Sequence, residues 1–529
     1  MTLTLAPPGR TGRDRAAAPE PALRRLARYA HLLPALATIA LLAAPVAPGD
    51  VSASGKVTPA DAASAVLVLA CAVRLVRERR RPLSAAAALV LGAPLVGFAL
   101  AAVTSPDPGA SATGFVRYAQ VFVLVPAALV LLLRDRRDFA VVAGAVVALA
   151  LVQGGVGVWQ YATATGASYQ GEDVRAVGTF GPSDIMGMAT VVAYGLVIAA
   201  GYALAPGRRA VRTGAAVCAV LLLVPLTVSF SRGTWIATAL ALAVVALLAG
   251  WRQALRILAV LAACAVLLVG GVGAGSQMIT QRLASITQVT DAPDQSVTDR
   301  YTLWSAALSM WREHPATGVG LKRFPDERDS HASLALDSGS DTAGAGQTFT
   351  REPLLSPHNM YLLALSEQGL VGCGLLAGSW AALLAVGAAR LHRARRAALG
   401  QRVPAPRDGA AADMSGSAGL PGGAGARTAG AGGDLGGRSA ATGGPQARAT
   451  EPAARATEPA ARATKPATGS AVLAARTAVA PGLAAVGLLV WQAVDFLYAD
   501  IGGPSTPLTA VLLGLTGWWA LNSTDEPAR

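Results

Sequence analysis

Four short clusters in this sequence hold residues able to handle charge or protons, and each lies at the edge of an apolar run. Ser231-Arg232-Gly233-Thr234-Trp235 sets a guanidinium between two such runs. Asp299-Arg300-Tyr301-Thr302-Leu303-Trp304 opens a segment that stops at Pro315. Pro357-His358-Asn359-Met360-Tyr361 places an imidazole at the start of the run 358–389, and Arg175 leads a Gly/Pro-containing stretch to Pro182, with Ser183 or Asp184 as a cap for the next helix. Arginine suits phosphate chemistry because its planar fork binds two oxygens at once and stays charged near lipid. An imidazole at a helix N-terminus has its cationic form disfavoured, which suits a neutral base. Neither Asp-x-Asp nor His-Glu-x-x-His occurs, so no metal and no cofactor is called for.

Each cluster also has a plain structural reading. Arg232 at a span end is equally suited to lipid headgroups, with Trp235 in the interfacial aromatic belt. Tyr301, Trp304, Leu308 and Trp311 share one helical face, which predicts an amphipathic helix over 299–313 lying on the membrane surface with Arg300 in its first turn. Taken alone, His358 reads as a cap or loop histidine. Glu367 lies nine positions further on, half a turn round a regular helix from His358. His314 abuts a helix-ending proline, and His331 sits in a polar stretch without pattern. Cys71, Cys218, Cys264 and Cys373 fall inside apolar runs without ligand spacing and read as small buried hydrophobes.

The elements that position these residues follow from composition. Of 529 residues 53% are hydrophobic and 14% charged, against about 25% charged in soluble domains. This excludes a soluble core and, for most of the chain, disorder. At roughly 20 apolar residues per crossing, windows at 30–48, 59–76, 83–103, 113–133, 139–163, 183–205, 210–230, 233–250, 254–275, 358–389, 471–499 and 505–522 predict an all-α bundle of about twelve spans. The first is read as a retained anchor rather than a signal peptide. The net charge of +13 is dispersed in short clusters between spans, which argues against nucleic acid. With a cytoplasmic N-terminus (1–29), the inside loops carry Arg77, Arg79, Arg80, Arg81, Arg134, Arg136, Arg137, Arg208, Arg209, Arg212, Arg252 and Arg256. The short outside loops carry only Lys56, Arg175 and Arg232. The positive-inside rule therefore gives a multi-pass plasma-membrane protein with both termini, 523–529 included, in the cytoplasm.

Spans 1–9 (30–275) are separated from span 10 by a large extracytoplasmic loop, 276–357. Span 10 is separated from the pair at 471–522 by a cytoplasmic segment, 390–470. The Ala/Gly/Pro/Arg-rich stretch 397–470 repeats a seven-residue unit three times between Ala447 and Ala467, each copy with one proline and no large apolar side chain, and is read as disordered.

In order and spacing the clusters resemble one family, the O-antigen ligases and polymerases. The resemblance rests on Ser-Arg-Gly-x-Trp at 231–235, Arg300 with Trp304, Pro-x-x-Gly-Val-Gly-x-x-x-Phe at 315–324, His358-Asn359-x-Tyr361-Leu362, and Glu367-x-Gly369-Leu370-x-Gly372. A weaker echo runs from Arg175 to Pro182. The specific part spans about 220–375. Lys322 and Arg323 depart from the small or amide residues usual after the Gly-Val-Gly turn, and the 397–470 segment is extra.

The resemblance implies the architecture of C-type glycosyltransferases and metal-independent, inverting transfer of a glycan from an undecaprenyl-diphosphate carrier. The acceptor would be a glycan, lipid or wall-polymer hydroxyl, and the reaction would occur on the outer face among membrane lipids. Arg232 and Arg300 would hold the diphosphate, and His358 would be the base. Arg175, Ser231, Trp235, Asn359 and Tyr361 would bind substrate. A transporter or flippase of lipid-linked glycans is the alternative, although such proteins place binding charges near the midplane. A membrane scaffold would explain the spans but not the ordered motifs.

Overall fold

The computed structural model describes residues 28–46, 57–79, 83–169, 176–181, 184, 186–255, 295–332, 340–344, 350–352, 355–399 and 469–522. Arg175, Ser183, Cys264, nearly all of the expected span 254–275 and the seven-residue repeats lie outside them.

The helices run in order α1 (Leu33–Leu41, preceded by a 3-10 turn Ala30–Leu32), α2 (Pro59–Glu78), α3 (Ala85–Val103), α4 (Pro108–Leu132, with a π-helical turn at Gln120–Leu124), α5 (Arg136–Thr163), α6 (Gly187–Leu204), α7 (Arg209–Thr227) and α8 (Arg232–Ala249). They continue as α9 (Gln295–Glu313), α10 (Phe324–His331), α11 (Met360–Leu399), α12 (Gly469–Asp495) and α13 (Thr506–Leu521). Among the described residues nine helices are long and apolar enough to cross a membrane, namely α2 to α8, α11 and α12. α1 and α13 are shorter and also apolar. Every expected span except 254–275 coincides with one of these helices.

Local chemistry fixes where the helices start. Thr58 and Asp61 cap α2 reciprocally, with Pro59 at its first position. Asp107 accepts from Gly109 N and Ala110 N at the start of α4, and Asp135 does the same for Arg137 N and Asp138 N in α5. Burial sorts the helices: in the most apolar 18-residue stretch of each, 72% of α6 and 67% of α12 is buried, against 17% of α7. Close approach is made by small residues. A Cβ on Gly97 of α3 would stand 2.7 Å from the Gly372 Cα of α11.

Two features differ from the sequence expectation. Three short antiparallel strands, β1 (Ala167–Tyr169), β2 (Ser340–Gly344) and β3 (Thr350–Glu352), pair in the order β1-β2-β3. They tie the connection before α6 to the one before α11. In addition, α11 is not one continuous helix. Gly369 takes φ 63°, ψ −167°, so a short segment from Met360 meets a long one at a break.

That break is filled by backbone. Val319 N donates to Ser366 O and Gly320 N to Glu367 O, at 2.9 and 3.0 Å. In return Leu370 N and Val371 N donate to Pro315 O and Ala316 O, at 2.9 and 3.2 Å. The 315–320 turn thus supplies the partners that helix interruption removes. Gly318 lies at φ 71°, where a Cβ would fall 2.3 Å from the Glu367 carbonyl carbon. The two Gly-containing motifs are halves of one joint.

Candidate active site

The helix carrying Arg300 is present, but its buried face is not the aromatic stripe. Asp299, Leu303, Ala306, Ala307 and Met310 are buried, while Tyr301 is 53% exposed and Trp304, Leu308 and Trp311 are intermediate. The helix packs on α10 and α11, with Leu303, Ala306, Ala307 and Met310 as its most buried face and the aromatic stripe only partly covered. Arg300 sits between the two faces, and its Nη1 donates to Tyr498 O at 3.1 Å. Trp304 Nε1 donates to Pro357 O at 2.9 Å, gripping the residue before His358.

His358 adopts φ 48°, a left-handed conformation uncommon for a side-chain-bearing residue. Its surroundings hold it there. Asn359 caps α11, its Oδ1 accepting from Tyr361 N and Leu362 N at 3.0 Å each, while its Nδ2 donates to Leu497 O at 3.1 Å. Met360 N donates to Phe496 O and Ala499 O. The Tyr361 hydroxyl donates to Ala493 O at 2.7 Å. The His358 turn is therefore stitched to the end of α12 and the turn after it.

α8 reaches the same turn. A Cβ on Gly233 would lie 3.3 Å from Tyr498 Cβ, so the end of α8 that begins at Arg232 packs on Tyr498. Ser231 Oγ caps α8, accepting from Thr234 N, and donates to Thr234 Oγ1. Trp235 Nε1 donates to Leu226 O at 2.8 Å, fastening α8 to α7. Of the expected site residues, Arg300 and His358 come together around the 495–500 turn, and the end of α8 that carries Arg232 reaches it. Ser231, Trp235, Asn359 and Tyr361 direct polar atoms to nearby protein groups.

Sequence reasoning missed the acidic partners. Asp500 stands beside His358 and Arg300 and bonds Ser356 and the His358 backbone. Its Oδ2 is buried without a hydrogen-bond partner among the described residues. Burial pushes the Asp500 carboxyl above its usual range, against the pull of His358 and Arg300. Burial likewise holds the His358 imidazole below its ordinary 6.5, and Arg300 adds to that depression while Asp500 opposes it. Asp184 accepts from Ser505 N at 3.0 Å, and burial raises its carboxyl. Asp495 ends α12, 4% exposed. The available signal was Asp495 itself, a carboxylate within the apolar run 471–499.

Glu367 belongs elsewhere. It accepts from the Tyr118 hydroxyl and Phe324 N, both at 3.3 Å, next to the Gly369 break. Lys322, at φ 59°, lies between Arg117 and Glu367. Burial and Arg117 lower its ammonium from the usual range, and Glu367 opposes them. Arg323 pairs with Glu327 at 2.5 Å and Asp326 at 3.4 Å. His331 Nδ1 meets Ser309 Oγ at 3.0 Å, and His314 is exposed. Among the described residues no group of three or more His, Cys, Asp or Glu is arranged to hold a metal ion.

Residues 217–377 match the O-antigen ligase family. That interval contains the Arg232, Arg300 and His358 motifs and both halves of the Gly318–Gly369 joint, so the family resemblance read from the sequence is borne out over this stretch. No curated protein matches the chain. The family match and the bundle of long apolar helices support a membrane glycan-handling enzyme of the O-antigen ligase and polymerase type.

Proposed function

We propose that the chain transfers a glycan from an undecaprenyl-diphosphate carrier to the hydroxyl of a glycan, lipid or wall-polymer acceptor. In this reading it crosses the plasma membrane about twelve times, with both termini cytoplasmic and the reaction on the outer face. The observation that carries the reading is the meeting of Arg300, His358 and the Arg232 end of α8 on one turn, although they come from three separate elements.

The chemistry follows from what each group does best. His358, neutral at pH 7 because its cationic form is disfavoured, takes the proton of the acceptor hydroxyl. The oxygen bonds to the anomeric carbon as the bond to the diphosphate oxygen breaks, from the opposite side, inverting that centre. The leaving diphosphate departs with its electron pair, and Arg232 and Arg300 hold the growing charge in a site partly closed to water. Asp500 faces the imidazole and stabilises the imidazolium that forms, as a carboxylate does beside a histidine base. Asn359, Tyr361, Ser231 and Trp235 then serve as positioning residues, and Arg175 remains a candidate for the same anionic face.

The flippase alternative draws on the break in α11, since broken helices line transporter sites. The backbone of 315–320 occupies this break, which favours the enzyme. The test is transfer from a lipid-linked donor by the purified chain. His358→Ala lowers the chemical step by about 10²–10⁴-fold with donor binding retained, and Arg300→Lys is damaging despite its charge, because the fork is lost. A His358→Ala protein with full turnover overturns the assignment.

A further inference from the structure

At the other end of the bundle a cavity of about 320 Å³ opens between α2, α3, α4 and α13. It is remote from the His358 site. α13 begins just after the Asp500 turn, and the cavity is lined by its last residue, Leu521, 16 residues along, or about 24 Å at the helical rise. Its walls are apolar, with Leu75 from α2, Leu83 and Ala87 at the start of α3 and Val130 from α4. Its charged lining residues are Arg74, Glu78 and Arg134, an excess of one positive charge.

The chemistry of the mouth is specific. Arg74 Nε bonds Glu78 at 2.8 Å with both side chains more than two-fifths exposed, a pair that water and other anions reach easily. Arg134 is 49% exposed, pairs with Asp138 at 3.3 Å, and bonds the His31 ring and the Arg28 carbonyl, so an anion at the mouth meets the remaining exposed edge of its guanidinium. Ser84, also in the lining, caps α3 by accepting from Ala87 N, so the positive end of that helix borders the opening. The flanks are surfaces of another kind, with Val76 77% and Leu89 70% exposed, as expected of side chains that meet lipid.

We propose that this cavity seats an anionic phospholipid, its phosphate at Arg74 and Arg134 and part of one acyl chain among Leu75, Leu83, Ala87 and Val130. Basic pockets between spans on the cytoplasmic side suit anionic headgroups. The volume lies near the lower end of the roughly 300–1,000 Å³ of ligand pockets, enough for part of a lipid and too small for a glycan-bearing one. Placing the lipid in the inner leaflet rests on the charge-derived orientation, in which Arg74, Arg77, Arg79 and Arg134 gather at the cytoplasmic rim.

The test uses the purified full chain, stripped of lipid in detergent and offered phosphatidylglycerol or phosphatidylcholine, with bound lipid counted by native mass spectrometry. Phosphatidylglycerol is expected to be retained in preference. Arg74→Gln should weaken its retention about fivefold, and Leu83→Trp should abolish it by filling the cavity with the rim charges intact. Should Leu83→Trp not fold, Ala87→Leu narrows the same space from α3. Equal retention of the two lipids, or unchanged phosphatidylglycerol binding in the filled variant, overturns the proposal. So does displacement of phosphatidylglycerol by an equal amount of undecaprenyl phosphate, which would make the occupant a carrier lipid. No arm reads glycan transfer, so this result and the fate of the catalytic reading are separable.

Discussion

Replacing Gly369 by alanine should dismantle the joint that aligns the two Gly-containing motifs. At φ 63°, ψ −167° an alanine sits in backbone space essentially reserved for glycine, at a cost of about 1–3 kcal/mol. Its Cβ would stand 2.3 Å from both the carbonyl carbon and the oxygen of Ala316, where real contacts stay beyond 3.0 Å. The 315–317 backbone would have to withdraw from α11, and the bonds from Leu370 N and Val371 N, now 2.9 and 3.2 Å, would stretch past useful length. Losing both costs about 1–3 kcal/mol, giving roughly 2–6 kcal/mol in all. Gly374 is the matched control: it lies in the same helix, and a Cβ there meets nothing within 4 Å. Gly374→Ala should be neutral or stabilising by about 0.5–1 kcal/mol. Thermal unfolding in detergent, with size-exclusion profiles before heating, reads both variants. If Gly369→Ala melts with the wild type, the joint is not a rigid fixture and the reasoning from glycine-only backbone fails.

Deleting residues 400–468 should leave transfer largely intact, because that stretch is poor in large apolar residues and the positive-inside rule puts it on the side opposite the proposed site; loss of activity in a normally inserted deletion protein would refute this. Transfer should persist in excess chelator, since the proposed charge stabilisation comes from guanidinium groups, and rescue of a chelated enzyme by a divalent ion would overturn it. The acidic limb of turnover should fall below pH 6.5, because the His358 imidazole is held under its ordinary value and a base is lost only as pH drops through its own pKa. Asp500→Asn removes the group opposing that depression, so the limb should move to still lower pH while plateau turnover falls. A limb that shifts upward would show that Asp500 does not act on His358.

The spans were legible because bilayer crossing demands long apolar runs, and that signal survives without any knowledge of packing. Arg232, Arg300 and His358 were legible as types at the edges of those runs. What eluded the sequence was non-local. Asp500 acquires meaning only when the turn after α12 folds under His358, 142 positions away in the chain. The face by which α9 packs on the protein, Leu303, Ala306, Ala307 and Met310, was not singled out, because small and aliphatic residues give a weaker period than the aromatic one. The break at Gly369 was hidden inside a run whose mean hydropathy reads as one span despite Ser366-Glu367-Gln368 just before it, since hydropathy records side chains and not backbone dihedrals.

The stitching of 356–361 to 493–500 bears on how such a chain could be divided or inherited. The stretch that carries the family's motifs, 217–377, finds the acceptors for Asn359 Nδ2, Met360 N and the Tyr361 hydroxyl in a segment beyond its boundary. It is therefore not a transplantable cassette. A gene cut within codons 400–468 would yield two polypeptides, neither with a complete site, which could regain one only by reassembling α11 against α12 in the bilayer. Exchange of the motif-bearing half between relatives would succeed only when the far turn travels with it.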